Sequence, residues 1–167
     1  MRIALVDPPA YTPPYDRCLA AALARAGAAV ELWTSSFAHG EVPPPDGYVV
    51  REAFYRRSAG LSGGARRAAR AAEHLPDMLR LRRHGLAGAD VVHYQWLTFP
   101  GLDRHLLPPK RPRVLTPHGW LRREAATARG GRGFERLVTA MDAVVALSEY
   151  GARRLRESTA VDPAGST

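Results

Sequence analysis

Four short apolar runs, each ending at a polar residue or a proline, constrain this chain more than anything else in it. Arg2–Val6 runs into Asp7 and Pro8, and Asp90–Tyr94 carries His93 near its end. Arg113–Thr116 stops at Pro117 and His118, and Asp142–Leu147 stops at Ser148 and Glu149. Apolar runs of this length without polar alternation suit strands covered on both faces, as in parallel sheets. If the strands are parallel, their carboxyl ends share one edge, where open α/β sheets bind ligands. Asp7, His93, His118 and Ser148 with Glu149 are then expected around one crevice.

The segments between these runs have helical spacing. Tyr15–Ala26 places Leu19, Ala22, Leu23 and Ala26 on one stripe, and Gly27 ends it before a second strand, Ala29–Thr34. Residues 35–47 read as loop, and Tyr48–Arg51 as a possible strand. Leu61–His84 reads as a helix broken or kinked near Pro76. Its arginines fit either a solvated face over an Ala/Leu stripe or contact with an anionic membrane surface. A short helix is expected near Leu102–Leu107, and a loop holding Gly130, Gly131 and Gly133 before a helix from about Phe134. Ser148 is placed to cap a final helix, Glu149–Glu157. Together these elements predict a three-layer α/β domain over residues 1–160, with a mainly parallel sheet of six or seven strands. Residues 161–167 read as the start of a linker or a disordered tail.

The stretch Arg113-Val114-Leu115-Thr116-Pro117-His118-Gly119-Trp120 is the most pointed local feature. Proline cannot donate to a ladder and glycine tolerates unusual dihedrals, so the strand stops here and leaves His118 at its carboxyl end. A histidine packed in a wall or capping a helix is the alternative. Other chemistries find little in the sequence. No Gly-x-Gly-x-x-Gly follows the first strand, and no Walker lysine loop, Asp-x-Asp pair or His-Glu-x-x-His spacing occurs. Ser148 lacks the flanking glycines of a nucleophile elbow. Cys18 is the single cysteine, so no internal disulfide can form.

Formal net charge is +8, and of 24 basic residues only Lys110 is a lysine. A basic surface attracts phosphates, anionic lipid or nucleic acid. The Arg129–Gly133 stretch and the charge suggest a nucleic-acid module, but the arginine-rich helix lacks interleaved aromatics, and no nucleic acid is expected. The first apolar run is too short for a signal peptide and none spans a membrane, so a protein in the cytoplasm, free or peripheral at the inner membrane face, is expected.

The first strand, Asp90–Trp96, Leu115-Thr116-Pro117-His118 and Ala143–Glu149 occur in the order seen in family 4 retaining glycosyltransferases, which this chain resembles over about residues 1–157. The resemblance implies a Rossmann-like domain that is half of a GT-B fold, with a second such domain, fused or separate, holding most nucleotide-sugar contacts. It implies metal-independent transfer from a nucleotide sugar to a hydroxylated acceptor, with retention of configuration and no cofactor. His118 is the implied catalytic residue, Gly119 and Tyr15 the donor contacts, and His93, Gln95, Trp96 and Asp7 the acceptor contacts. A non-catalytic subunit of a split transferase is the alternative.

Two features depart from the family pattern. Pro13-Pro14-Tyr15-Asp16 stands where the family usually has a Gly-Gly pair near the donor phosphate. The charge of Asp16 is expected to repel a phosphate at the start of that helix. Glu149 and Glu157 have the spacing of the family's glutamate pair, but that pair belongs to the second domain, so Glu157 reads as a surface residue.

Overall fold

The first strand, β1 (Arg2–Asp7), shows how the sequence sets the layers, because its side chains divide between two cores. Ala4 and Val6 pack into one cluster, and Ile3 and Leu5 into the other. This is the two-residue period of a strand buried on both faces. The computed structural model describes residues 1–37, 39–118 and 128–159. Among them β1 is joined by β2 (Ala29–Ser35), β3 (Val49–Phe54), β4 (Val91–Tyr94), β5 (Arg113–Leu115) and β6 (Ala143–Val144). Every pairing is parallel, in the order β3-β2-β1-β4-β5-β6. The expected three-layer Rossmann-like domain is what forms, with the strands containing Ile3, Val91, Val114 and Val144 in one sheet.

The helices among the described residues are α1 (Pro13–Arg25), α2 (Gly63–Arg80), α3 (Pro100–Asp103), α4 (Ala128–Thr139) and α5 (Glu149–Thr159). Ala20 and Ala21 of α1 close one face over Ile3, Leu5, Val30 and Leu32. Met78 of α2 and Phe134, Leu137 and Val138 of α4 close the other over Val6, Val92, Tyr94 and Leu115. Each such leucine or valine, taken wholly out of water, stabilises the fold by roughly 1.5–3 kcal/mol. No described helix is long and apolar enough to cross a membrane.

The structure corrects several local expectations. The helix through Pro76 is not broken there; α2 continues to Arg80, and the irregularity is a π-helical turn, Leu81–Gly85. Pro76 removes one amide, but the wholly buried His74 and Met78 hold the helix on either side of it. The packed stripe of α2 is therefore His74, Met78 and then Leu81, while Leu75 is exposed. Gly130, Gly131 and Gly133 lie inside α4 rather than in a loop. The short helix is Pro100–Asp103, starting two residues earlier than expected and followed by turns. The last strand shrinks to Ala143–Val144, because it pairs at the sheet edge with a β5 of only three residues. Ser148 does cap α5, accepting from the Gly151 amide at 3.1 Å.

Strand order reverses between β1 and β4. The chain runs β1 to β3 one way from the centre and β4 to β6 the other. The crevice outside the carboxyl ends of these two central strands is where sheets of this kind take ligands.

Candidate functional site

Gln95 follows β4 and His118 follows β5 by three residues, so the two side chains meet at the reversal point. His118 Nε2 lies 2.9 Å from Gln95 Oε1, and both residues are buried. With Oε1 as acceptor, Nε2 carries the ring proton, and Nδ1 is left as the acceptor of a neutral ring. Burial lowers the His118 pKa below its usual value, which keeps the ring neutral near pH 7.

Aromatic rings fix the imidazole from two sides. Trp96 stacks on it with centroids 6.1 Å apart and planes 21° from parallel. Tyr15 meets it edge-on at 4.8 Å. Tyr11, from the loop after β1, closes edge-on against Trp96 at 5.3 Å. Tyr11 and Tyr15 are themselves exposed, so the cluster faces outward. Beneath it, Gln95, Trp96, Leu97, Pro117 and His118 line a recess of about 20 Å³, closed below by Phe134 and Leu137. The indole nitrogen of Trp96 and the amide nitrogen of Gln95 are buried donors without a partner among the described residues. Such donors are expensive to leave unmet, and a hydroxyl-bearing ligand could satisfy them.

Asp7 and Asp16 explain the shape of the loop between β1 and α1. Both are wholly buried. Asp7 Oδ2 accepts from the Tyr11 amide at 3.0 Å, and the Thr12 hydroxyl points at Asp16. Burial together with the neighbouring Asp7 charge pushes Asp16 up to about 9, and burial raises Asp7 as well. Asp16 therefore keeps its proton at neutral pH. The expected repulsion of phosphate by an Asp16 charge does not operate, because that charge is absent.

The expected site residues separate into those that meet and those that do not. His118, Tyr15, Gln95 and Trp96 form the cluster. Asp7 lies under the loop, sealed from solvent. His93 turns toward β5, its Nε2 2.7 Å from the Thr116 hydroxyl, and burial plus the His118 charge lowers its pKa to about 4. Gly119 lies outside the described residues. Ser148 and Glu149 are exposed on α5, with Ser148 engaged in its cap, and Glu157 pairs with Arg154 at 3.0 Å on the surface. Tyr11 and the Asp16 proton are what sequence reasoning missed. The proline-flanked Ala10-Tyr11-Thr12 was the available signal for the first, since a loop so restrained presents its aromatic residue in a fixed place.

A cavity of about 600 Å³ lies elsewhere. Residues such as Arg2, Ala29 and Gly88 line it at the amino ends of the central strands, the edge opposite His118. Among the described residues no group of three His, Cys, Asp or Glu side chains could hold a metal ion.

The family model of glycosyltransferase family 4 matches residues 17–165. β1 with Asp7, the loop after it, and the first turn of α1 with Tyr15 and Asp16 precede the matched span. No curated protein matches the chain.

Proposed function

Because the chain belongs to glycosyltransferase family 4, we propose that it supplies the acceptor side of a GT-B cleft, with transfer from a nucleotide sugar proceeding with retention and without a metal. The observation that supports this most directly is the His118 ring, held neutral and clamped between Trp96 and Tyr15 at the sheet's reversal point. A neutral imidazole offers an acceptor at Nδ1 to a sugar hydroxyl, and its position is fixed before the substrate arrives. Preorganised polar groups of this kind gain value in the transition state because nothing must reorient. Trp96 and Tyr11 add an apolar platform of the sort sugar rings stack on. Tyr15 is read as a donor contact, the role the family resemblance also implies for Gly119, and Asp7 holds the loop that carries Tyr11. A second Rossmann-like domain, fused or separate, faces this edge and brings the nucleotide.

Two measurements test the reading. With the second domain supplied, His118→Ala is expected to lower turnover on the order of 10²-fold, with only a modest drop in melting temperature. His118→Gln should fold as the parent does and be nearly as slow. Parallel loss of activity and stability in both variants would make the ring structural. The chain alone offers one wall of the cleft, and positioning of both reactants accounts for much of catalysis. Calorimetry against nucleotide sugars is therefore expected to show weak binding or none; tight binding would move the donor site into this domain.

A further inference from the structure

On the other side of the β1–α1 loop from His118, the carboxyl ends of β2 and β3 and the first two turns of α2 enclose a cavity of about 390 Å³. That volume lies in the range of small-molecule sites, about 300–1,000 Å³. Its walls are basic. Arg56, Arg66 and Arg70 line it against one carboxylate, Glu52. α2 brings no acidic residue in its first turn to offset them.

Two of the arginines are already fixed in place. Arg70 lies over the Tyr55 ring, 4.7 Å from its centroid, and donates to the Pro9 carbonyl at 3.2 Å. Arg56 donates through Nε to the Glu52 carbonyl at 2.8 Å. Both keep further N–H groups unspent, since a guanidinium has five. Arg66 has no ion pair among the described residues. The independent sign of a ligand is Ser35, which lines the same cavity. It is 4 % exposed, and its hydroxyl is buried without a partner among the described residues. A buried hydroxyl left unmet is costly, and a ligand oxygen would satisfy it.

We propose that this cavity is a phosphate-binding subsite on the acceptor side of the cleft. A phosphate has enough acceptor oxygens to engage several guanidiniums and a serine hydroxyl at once, and its geometry suits the guanidinium fork. A carboxylate, with only two oxygens and a single charge, matches three guanidiniums and a hydroxyl less well. The Arg70–Pro9 bond ties the pocket to the loop that carries Tyr11, which packs on Trp96 beside His118. The assignment to the acceptor rests on the glycosyl-transfer reading. Phosphate binding does not, because it is read without any sugar donor.

The test uses the full chain with inorganic phosphate, at ionic strength matched by chloride. Saturable binding is expected by calorimetry. Arg66→Ala should weaken it about tenfold and Ser35→Ala a few-fold, while Arg83→Ala, on the π-helical turn and outside the cavity, should leave it unchanged. A second arm uses phosphatidylcholine vesicles with and without phosphatidic acid. Cosedimentation that requires phosphatidic acid and is lost in Arg66→Ala identifies a lipid headgroup as the source. Saturable binding of free phosphate with no such cosedimentation identifies a soluble phosphorylated acceptor. Absence of saturable binding in both arms overturns the proposal. An Arg83→Ala loss as large as that of Arg66→Ala also overturns it, since general positive charge would then explain the affinity. Full transfer by His118→Ala with saturable phosphate binding would fail the glycosyl-transfer reading alone, whereas lost transfer in that variant with no saturable phosphate binding by the parent would fail this one alone.

Discussion

Asp16→Asn is expected to stabilise the protein by several kcal/mol near pH 8 and to leave it nearly unchanged near pH 4. In the folded chain Asp16 keeps its proton up to about 9, while the unfolded chain releases it near the ordinary 3.8. Across that interval the native state binds more protons, so stability falls as pH rises, by about 1.4 kcal/mol per pH unit. The contribution is fully present below the unfolded value and is lost as pH climbs through the folded one. His93 acts with the opposite sign. Its folded pKa is lowered from 6.5 to about 4, so stability rises with pH across that window. His118, lowered by burial, shares that sign, and Asp7, raised by burial, shares the sign of Asp16. Below pH 6.5 the two sets oppose each other, and above it Asp16 acts with little opposition. The parent chain should therefore lose stability from about pH 6.5 to 9, whereas Asp16→Asn loses less across that range. Asparagine fits because its amide can donate toward Asp7, as the protonated acid does, while its oxygen accepts from Thr12. At about 2–4 °C per kcal/mol for a domain of this size, melting curves from pH 6 to 9 resolve the difference. Parallel pH profiles for parent and variant would sink the idea.

The same residue shows what a sequence can and cannot disclose. Asp16 reads as a charge because aspartate ordinarily is one, and nothing local says that Asp7, nine residues earlier, shares its burial. β1, β2, β4 and β5 were legible because each is a short apolar run stopped by proline, glycine or a polar residue. Their observed limits differ from the expected ones by one residue, at one end of each strand only. β6 was not, because its length depends on the partner it finds at the sheet edge rather than on its own valines. His118, Gln95 and Trp96 were legible as a group for a geometric reason: parallel strands put their carboxyl ends side by side. Ser148 obeyed the same rule of position, yet its hydroxyl went to a helix cap, the nearer partner. The arginines of α2 disclosed charge but not its division. Arg66 and Arg70 line a cavity at the ligand edge, and Arg80 pairs with Asp77 on the surface.

Asp103→Ala is expected to cost about 3–5 kcal/mol, enough to threaten folding of a domain of ordinary stability. Asp103 and His74 are wholly buried, with Oδ1 2.5 Å from Nε2. A carboxylate only accepts, so Nε2 donates to it, and Nδ1 accepts from the Tyr55 hydroxyl 2.6 Å away. The Thr98 hydroxyl lies 3.2 Å beyond on Tyr55, and Asp103 Oδ2 takes the Phe99 amide at 2.9 Å. One chain of hydrogen bonds thus joins α2, the end of β3, the segment after β4 and α3. Tyr55 has the most to lose. Its φ of 54° is in the left-handed region, which a non-glycine residue holds only when its surroundings compel it. Asp77 on its amide, His74 and Thr98 on its hydroxyl and Arg70 over its ring supply that compulsion. Removing the Asp103 carboxylate strands the His74 proton and the Phe99 amide in a dry interior. Asp103→Asn keeps the shape and an acceptor oxygen, so it should recover much of the loss, and denaturant titration of the two variants measures the difference. If Asp103→Ala unfolds at the parent's midpoint, the network is ornamental to stability. If it is destabilised as expected, Tyr55 is freed, and the arginine-lined cavity beside it should lose phosphate affinity before the fold is lost.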